Sequence, residues 1–287
     1  MSRTTRIFGT DDVRRAADTL GLDEIMDQMI ERLHHAFEHY DPTQIEVPAR
    51  SGFHYESPKV GLIEWMPVMA RGEHALMKLV CYHPANPVQS GLPTILSSFA
   101  LIDTETGHMI AISDGTFLTA LRTGAASAVA TRTLASSGSG TVGMIGCGAQ
   151  AITQLHAISR VYPIDLVLYW DSDPGTRHSF SARMSEWLPR GTRLVETPID
   201  LIVPNVDVLC TATSIDVGEG PLFDHGITRE GLHVNAVGSD FPGKVELPRE
   251  LLEASIVIPD FSAQAIAEGE CQQLDDDLVG PELYEIL

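Results

Sequence analysis

A glycine turn in TVGMIGCGAQA, residues 141–151, has the spacing of a dinucleotide-binding loop. Gly146 and Gly148 are followed three positions later by Ala151, and the turn follows a predicted strand and opens a predicted helix. Gly146 permits the tight turn, Gly148 lets backbone approach a pyrophosphate, and Ala151 lets the helix pack on the strand. N–H groups at the helix start then face the phosphates, so the turn predicts dinucleotide binding. We interpret Cys147 as filling a small site rather than as a reactive thiol.

Asp171 selects between the two nicotinamide dinucleotides. It ends the next predicted strand, DLVLYWD, 25 residues after Gly146. A carboxylate there binds the adenosine ribose hydroxyls and repels the extra phosphate of NADP. The sequence therefore predicts NAD as the cofactor.

Three other charged residues lie in apolar or small-residue surroundings. Glu64 in GLIEWMP and Lys78 in ALMKLVCYH lie in strand-like runs, where ionised groups are costly unless they are paired. They either point outward, pair with each other, or serve a ligand. Arg122 in LTALRTGAA has neighbours too small to hide it, and its position suits a bidentate clamp on a carboxylate.

Asp240 closes the predicted strand HVNAVGSD and is followed by FPGK. Residues at the carboxyl ends of parallel strands line the crevice where ligands bind. Two interpretations stay open for this aspartate. It is a helix cap or turn former, or it performs acid–base chemistry beside the nicotinamide.

The sequence His35-x-x-Glu38-His39 resembles a zinc-peptidase pattern. On a helix, both histidines fall roughly opposite the apolar stripe that contains Ile30, Leu33 and Phe37. We therefore expect these histidines on a solvent-facing surface, and we expect no metal site.

The elements that position these residues follow from hydrophobic periodicity and turn residues. Two helices open the chain, the first capped by Thr10 and separated from the second by Gly21. Short β-prone runs between 59 and 113 predict an antiparallel sheet, and residues 116–135 predict a helix. Strands and helices then alternate, which predicts a parallel sheet covered by helices. The predicted strands of that sheet are TVGMIG, DLVLYWD, VDVLCTAT, HVNAVGSD and SIVIPD, and a further helix is predicted around 176–188.

Composition and charge limit the partners. The formal net charge of -20 argues against nucleic acid and anionic membranes, which both require basic patches. The sequence has no apolar run long enough for a membrane span and no apolar N-terminal stretch typical of a secretory signal. Its four cysteines are far apart and favour free thiols in a reducing compartment, so we expect a cytoplasmic protein.

Together these motifs resemble the ornithine cyclodeaminase/μ-crystallin family, and within it the bacterial ornithine cyclodeaminase branch. The resemblance runs from about residue 48 to 275, and ALRTGAAS beside GAQA is specific to the family. The pieces IEWMP, FPGKVEL and EGECQQL favour the cyclodeaminase branch over the ketimine-reductase branch.

The resemblance implies an α/β fold in which a Rossmann dinucleotide-binding domain is joined to an α+β substrate and dimerisation domain. The implied boundaries are 1–117 for the substrate domain, 118–266 for the NAD-binding domain, and 267–287 for a C-terminal segment that returns toward the first domain and is cut short relative to the family. A homodimer is implied as well.

The resemblance also assigns roles to individual residues. Arg50, Lys78 and Arg122 would hold the substrate α-carboxylate, and Glu64 would lie near the far amine of a diamino acid. Asp240, Glu64 and Lys78 would form the catalytic set, with Asp240 as the acid–base group. The implied cofactor-binding residues are Gly146, Gly148, Ala149, Gln150, Asp171, Arg122, Thr123, Thr211 and Lys244.

The implied reaction is the conversion of L-ornithine, or a related diamino acid, to L-proline or a cyclic imino acid plus ammonia. NAD would act catalytically in this reaction, by a hydride transfer that is reversed before product release. Two alternatives stay open. One is an NAD(P)H-dependent imine or ketimine reductase or amino-acid dehydrogenase of the same family, and the other is a non-catalytic nucleotide-binding protein. Ser239 and Phe241 around the aspartate, and the run KLVCYHP, depart from the family pattern and leave the particular amino acid open.

Overall fold

The computed structural model describes residues 4–287. The chain divides into two compact units. The first comprises the described residues up to Ile25 together with Tyr40–Thr119, and the second comprises Met26–His39 together with Ala120–Leu287. The domain boundaries implied at 117/118 and 266/267 stay predictions.

The first unit is built on a seven-stranded sheet with the order β1-β7-β6-β5-β4-β2, in which β3 also pairs with β4. Its strands are β1 (Arg6–Phe8), β2 (Ile45–Glu46), β3 (Ser51–Tyr55), β4 (Gly61–Ala70), β5 (His74–Tyr82), β6 (Ile95–Asp103) and β7 (Met109–Asp114). The antiparallel meander β4 to β7 confirms the sheet predicted between 59 and 113. The strands β1, β2 and β3 were not predicted, because runs of two to five residues are too short to establish an alternating pattern.

Alternation along β5 gives this sheet two different faces. Lys78 and Val80 are buried, whereas Met77 and Leu79 are exposed. Successive side chains of a strand point to opposite faces, so Lys78 lies on the buried face. Glu64 is opposite Val80, and Met66 is opposite Lys78. Glu64 therefore projects from the same face as Lys78.

The second unit contains a five-stranded parallel sheet with the order β10-β9-β8-β11-β12. Its strands are β8 (Thr141–Ile145), β9 (Leu166–Trp170), β10 (Arg193–Glu196), β11 (Val208–Thr211) and β12 (His233–Ala236). The strand order reverses between β8 and β11, which is the switch point where dinucleotides bind in doubly wound folds. The predicted α/β fold class, with a Rossmann-type sheet, is confirmed.

The five longer helices were predicted from the sequence, whereas four short helices of four to seven residues were not. They are α1 (Thr10–Leu20), α2 (Leu22–Glu38), α3 (Asn86–Ser90), α4 (Thr116–Leu134), α5 (Ala149–Val161), α6 (Pro174–Met184), α7 (Ile199–Ile202), α8 (Arg249–Glu253) and α9 (Ser262–Glu268). Short 3-10 helices span Val203–Asn205, His225–Ile227, Glu270–Gln273, Asp276–Leu278 and Leu283–Glu285. No helix within residues 4–287 has an apolar stretch long enough to cross a membrane.

Two local predictions are wrong. Thr10 does not cap α1, because Gly9 is the N-cap residue and its N–H is bound by the carboxylate of Asp12. The segment SIVIPD, residues 255–260, is not a strand. Its carbonyl groups at Val257 and Pro259 accept hydrogen bonds from the N–H groups of Gly280 and Leu283, instead of extending the sheet beyond β12.

The core of the second unit lies on both faces of its sheet. One cluster packs α5 and α6 on the sheet through fully buried residues that include Leu155, Ile158 and Phe180. The other packs Ile202, Val203 and Leu252 on the opposite side of the same strands. The two layers hold the carboxyl ends of β8, β9, β11 and β12 at one edge, where the candidate site lies.

Candidate active site

The glycine turn has the backbone that a dinucleotide requires. Gly146 adopts a φ of +91°, and a Cβ there would lie 2.5 Å from the carbonyl oxygen of Ala212. A Cβ on Gly148 would meet no atom within 4 Å, so the backbone faces open space at the start of α5. No side chain caps that helix, so its first N–H groups are available to bind an anion. These features fit the pyrophosphate of NAD.

Cys147 is fully buried inside the turn. Its thiol lies 3.5 Å from the carbonyl oxygen of Trp170, and burial raises its pKa to about 12. A thiol that stays protonated at neutral pH is a poor nucleophile. The interpretation of Cys147 as a filler of a small site is therefore supported.

Asp171 follows β9 directly and is tied to the glycine turn. Its Oδ2 accepts the N–H of Cys147 at 2.7 Å, and its Oδ1 accepts the N–H of Asp173 at 2.8 Å. Both oxygens keep lone pairs that can accept ribose hydroxyl groups. Arg177 stacks 4.1 Å above the ring of Trp170 and pairs with Glu196 at 2.7 Å. This nearby guanidinium was not predicted, and its charge is balanced by Glu196.

The helix that carries Arg122 and Thr123 is held closely against α5. A Cβ on Gly124 would lie 2.3 Å from the carbonyl oxygen of Thr153, so only glycine permits this approach. Gln150 donates from Nε2 to the carbonyl oxygen of Ala120 at 3.3 Å and to Oγ1 of Thr153 at 2.9 Å. Arg122 is exposed on α4. The first turn of α5 and residues 122–124 of α4 are thus fixed together.

Asp240 and Lys244 form an ion pair after β12. Nζ of Lys244 lies 2.8 Å from Oδ1 of Asp240 and 3.1 Å from the carbonyl oxygen of Thr213. The side chain of Lys244 is only 11% exposed, whereas that of Asp240 is 57% exposed. Asp240 therefore has a fixed cation on one side and an open side toward a ligand. Thr211, the last residue of β11, is fully buried at the same edge of the sheet.

A buried carboxylate network lies behind this loop and was not predicted from the sequence. Glu246 is fully buried and accepts hydrogen bonds from Thr213 and Gly238. Glu270 accepts the N–H of Glu246 at 2.8 Å, and burial, reinforced by the charge of Glu246, raises the pKa of Glu270 to about 7. Gln272 binds the loop through the N–H of Gly243 and the carbonyl oxygen of Lys244. The motif EGECQQL was used only as a sign of family resemblance, although it supplies both Glu270 and Gln272.

In the first unit, the buried face of the sheet brings Arg50 and Glu64 together. Nη1 of Arg50 lies 3.5 Å from Oε2 of Glu64, with side-chain exposures of 18% and 8%. Lys78 projects from the same face and is buried, so the interpretation that Glu64 and Lys78 point outward is wrong. His54 approaches Oε1 of Glu64 at 4.0 Å. Two cations and one carboxylate on this face suit a ligand that carries a carboxylate and a second, positively charged end.

The histidine pattern on α2 lies where it was expected. His35, Glu38 and His39 are exposed, and their ligand atoms lie within 4.8 Å of one another. The expectation that they hold no metal ion stays a prediction.

Comparisons with known proteins agree with this geometry. A sequence model described as the ornithine cyclodeaminase/mu-crystallin family matches residues 10–287. The L-lysine cyclodeaminase of Streptomyces rapamycinicus is 39% identical over 288 residues, which cover 98% of this chain and 82% of that protein.

Solved structures extend the similarity to three dimensions. A lysine cyclodeaminase, whose structure describes recognition of L-lysine, L-ornithine and L-2,4-diaminobutyric acid, superimposes with a TM-score of 0.93 at 45% identity, over 98% of this chain and 81% of that one. An archaeal alanine dehydrogenase dimer with bound NAD superimposes with a TM-score of 0.85 at 31% identity, over 98% of this chain and 84% of that one.

These similarities confirm two predictions, that the protein is an enzyme and that NAD is its cofactor. The family match covers almost the whole sequence and includes the glycine turn, helix α4 and the loop after β12 that carries Asp240. The chain belongs to the ornithine cyclodeaminase/mu-crystallin family.

Proposed function

We propose that this protein is an NAD-dependent cyclodeaminase, which converts a linear diamino acid into a cyclic α-amino acid and ammonia. The observation that carries the proposal is the Asp240–Lys244 ion pair at 2.8 Å, on the loop after β12 in the unit with the nucleotide turn. An acid–base group at the carboxyl edge of such a sheet is suited to proton transfer beside a bound dinucleotide.

The substrate carboxylate is bound in this proposal by Arg50, Lys78 and Arg122. Their cationic side chains give directional hydrogen bonds to a carboxylate, and guanidinium groups can bind both of its oxygens. Fixing the carboxylate orients the α-carbon, and well-oriented reactants gain much of the rate enhancement available to an enzyme.

Glu64 binds the distal ammonium group of the substrate. Its carboxylate is buried on the sheet face that carries Lys78, and Arg50 is its partner at 3.5 Å, longer than a strong charge-assisted contact. A substrate ammonium group can therefore compete for Glu64 while Arg50 turns to the substrate carboxylate.

Asp240 moves the protons of the reaction. When bound, NAD supplies reversible hydride chemistry at the α-carbon. Asp240 accepts a proton from the α-amino group and later returns one to the departing nitrogen, with Lys244 balancing the charge of its ionised form. The distal amine forms a new bond to the α-carbon as the α-nitrogen leaves that carbon as ammonia, so the diamino acid yields one cyclic amino acid and one ammonia.

L-Lysine is the first substrate to test, followed by L-ornithine, which would give L-proline. The high similarity to a lysine cyclodeaminase over 98% of the chain supports this order. One methylene group changes binding by only about 1–3 kcal/mol in an apolar pocket, so we expect turnover of more than one diamino acid.

The test is incubation of the purified protein with NAD and each of L-lysine, L-ornithine and L-2,4-diaminobutyrate. The proposal predicts equal amounts of ammonia and cyclic amino acid from at least one of them, without lasting NADH absorbance. If ammonia and cyclic product are absent from all three, the proposal is wrong.

A second candidate is an NADH-dependent imine reductase or an amino-acid dehydrogenase. The similarity to an alanine dehydrogenase over 98% of this chain supports it. This function is distinguished from a cyclodeaminase by the amount of NADH consumed or formed. With a cyclic imine or with L-alanine as the substrate, NADH absorbance would change in proportion to product.

We also propose a homodimer formed through the exposed face of the first unit's sheet. On this face, strands β3, β5, β7 and β1 present Phe53, Met77, Leu79, Ile112 and Ile7, which are between 36% and 73% exposed. Exposed apolar side chains grouped on one sheet face are typical of a protein interface. Light scattering of the wild type and of Leu79→Glu tests it, with a dimer expected for the first and a monomer for the second.

A cytoplasmic location is proposed from cysteine chemistry alone. All four cysteines are free thiols, and three of them are buried. Such usage is typical of reducing compartments. Cell fractionation of the native host tests the location.

A further inference from the structure

Glu246 joins the ends of two neighbouring parallel strands. Its Oε1 accepts hydrogen bonds from the N–H and the hydroxyl group of Thr213 at 2.7 and 2.6 Å, and its Oε2 accepts the N–H of Gly238 at 2.9 Å. Thr213 lies two residues after β11, and Gly238 lies two residues after β12. One carboxylate therefore sets the spacing of the two strand ends.

Both strand ends also contact the proposed acid–base pair. The carbonyl oxygen of Thr213 accepts a hydrogen bond from Nζ of Lys244 at 3.1 Å. Gly238 lies two residues before Asp240, whose carboxylate binds the same ammonium group at 2.8 Å. The contacts form a closed ring through Glu246, Thr213, Lys244, Asp240 and Gly238. Asp240 is the only exposed residue of these five.

The approach of Glu246 depends on the glycine at position 238. A Cβ on Gly238 would lie 2.3 Å from a carboxylate oxygen of Glu246, so any other residue at this position would force that carboxylate to shift. The side chain of Glu246 is fully buried, and burial raises its pKa, which means that its ionised form is costly here. An apolar side chain would fill the space at a lower cost but could not bind three donors.

We propose that Glu246 is a positioning residue, which holds the Asp240–Lys244 pair in its working geometry by joining the ends of β11 and β12. The inference rests on the proposed function, because it takes Asp240 as the acid–base group. Glu246 touches neither substrate nor cofactor in this role, and it acts through the backbone of Gly238 and Thr213.

The test compares Glu246→Gln with the wild type. A glutamine side chain keeps the shape but replaces one acceptor oxygen with an N–H donor, which cannot accept from Gly238 or Thr213. Because displacements of about 1 Å can cost about 100-fold in rate, we expect kcat to fall at least ~10-fold while KM for NAD and for the diamino acid changes less than ~3-fold. We also expect amide hydrogen exchange across residues 237–244 to rise at least ~10-fold.

The matched control is Asp207→Asn. Asp207 is also a buried carboxylate, which accepts from the N–H and hydroxyl of Ser139 and from the N–H of Thr141 at 2.7, 2.9 and 3.2 Å. It lies at the opposite, amino-terminal end of β11. We expect this variant to lose thermal stability like Glu246→Gln, while its kcat and its exchange across 237–244 stay near wild type.

Thr213→Val is the second variant, because it removes one of the three donors and keeps the buried carboxylate. We expect a smaller fall in kcat in the same direction and an intermediate rise in exchange. The inference is overturned if Glu246→Gln, or Thr213→Val where the glutamine variant does not fold, leaves kcat or the exchange of 237–244 unchanged. It is also overturned if Asp207→Asn lowers kcat equally. If the wild type turns over no diamino acid, the proposed function has failed, and hydrogen exchange alone then decides whether Glu246 fixes the loop.

Discussion

The ammonium nitrogen of Lys244 lies 2.8 Å from Oδ1 of Asp240, and the lysine is buried while most of the aspartate side chain is exposed. Lys244 was assigned to the cofactor by family resemblance. Its contact with Asp240 gives it a second role, as the cation that fixes the proposed acid–base group. A carboxylate held on one side and open on the other is well suited to exchange protons with a bound substrate.

Asp240→Asn tests the acid–base role directly. Asparagine keeps the shape of the side chain but cannot accept and return a proton, so we expect kcat for ammonia release to fall by ~100-fold or more. The affinity for NAD, measured by fluorescence titration, should stay close to that of the wild type. Turnover within ~3-fold of wild type would exclude Asp240 from proton transfer.

Glu64→Gln tests recognition of the distal amine. Losing a charge-assisted hydrogen bond costs about 1.5–3 kcal/mol, so KM for L-lysine should rise by ~10- to 100-fold. L-Norleucine has the same chain length but no distal amine, and its inhibition constant should change little in this variant. An equal loss of affinity for both compounds would contradict the assignment.

Gln154→Met should stabilise the protein. Gln154 is fully buried on α5, and both polar atoms of its amide are buried with no hydrogen-bond partner in residues 4–287. An apolar side chain of similar length removes that unsatisfied group, so we expect the free energy of unfolding to rise by about 1–3 kcal/mol in urea denaturation. The control on the same helix is Gln150→Met, which loses two hydrogen bonds and should destabilise. The explanation fails if Gln154→Met is the less stable of the two.

Glu270 should make stability depend on pH. Burial raises its pKa from 4.5 to about 7, so the folded state keeps the proton over a range where the unfolded state has lost it. The free energy of unfolding therefore decreases as pH rises from about 4.5 to about 7 and is constant above that range, as far as this group is concerned. His233 has the opposite effect on stability, because burial lowers its pKa from 6.5 to about 4. The free energy of unfolding therefore increases as pH rises from about 4 to about 6.5, as far as this group is concerned.

The variant Glu270→Gln separates the effect of Glu270 on stability from that of His233. The variant should gain stability relative to the wild type as pH rises through this range, by at most roughly 3 kcal/mol. Urea denaturation at pH 5 and pH 8 measures the difference. Parallel pH profiles for the two proteins would show that Glu270 does not titrate as described.

The sequence predicted those parts of the fold that carry a strong local pattern. The four strands of the β4 to β7 meander are β-prone runs divided by turn residues, and the glycine turn lies between a strand and a helix. SIVIPD has the composition of a strand, but its backbone binds residues near Gly280 and does not extend the parallel sheet. Composition alone does not show which of these pairings forms. Local propensity for strands is weaker than the tertiary context.

The candidate site was predicted by residue type, but its internal contacts were not. Glu246 and Glu270 lie 24 residues apart, and their partners are mostly backbone N–H groups, which every residue offers. No side-chain pattern therefore identified them as a network. The pairing of Glu64 with Arg50 depends on β3, a strand that the sequence did not predict.

The most direct test of the central claim follows the hydrogen atom on the α-carbon. L-Lysine or L-ornithine deuterated at Cα is incubated with the enzyme and NAD, and the cyclic product is analysed by mass spectrometry. The account predicts one ammonia for each cyclic amino acid, deuterium retained at Cα, and no lasting NADH absorbance, because the hydride returns to the carbon that it left. Loss of deuterium to solvent, or NADH formed in proportion to product, would contradict it.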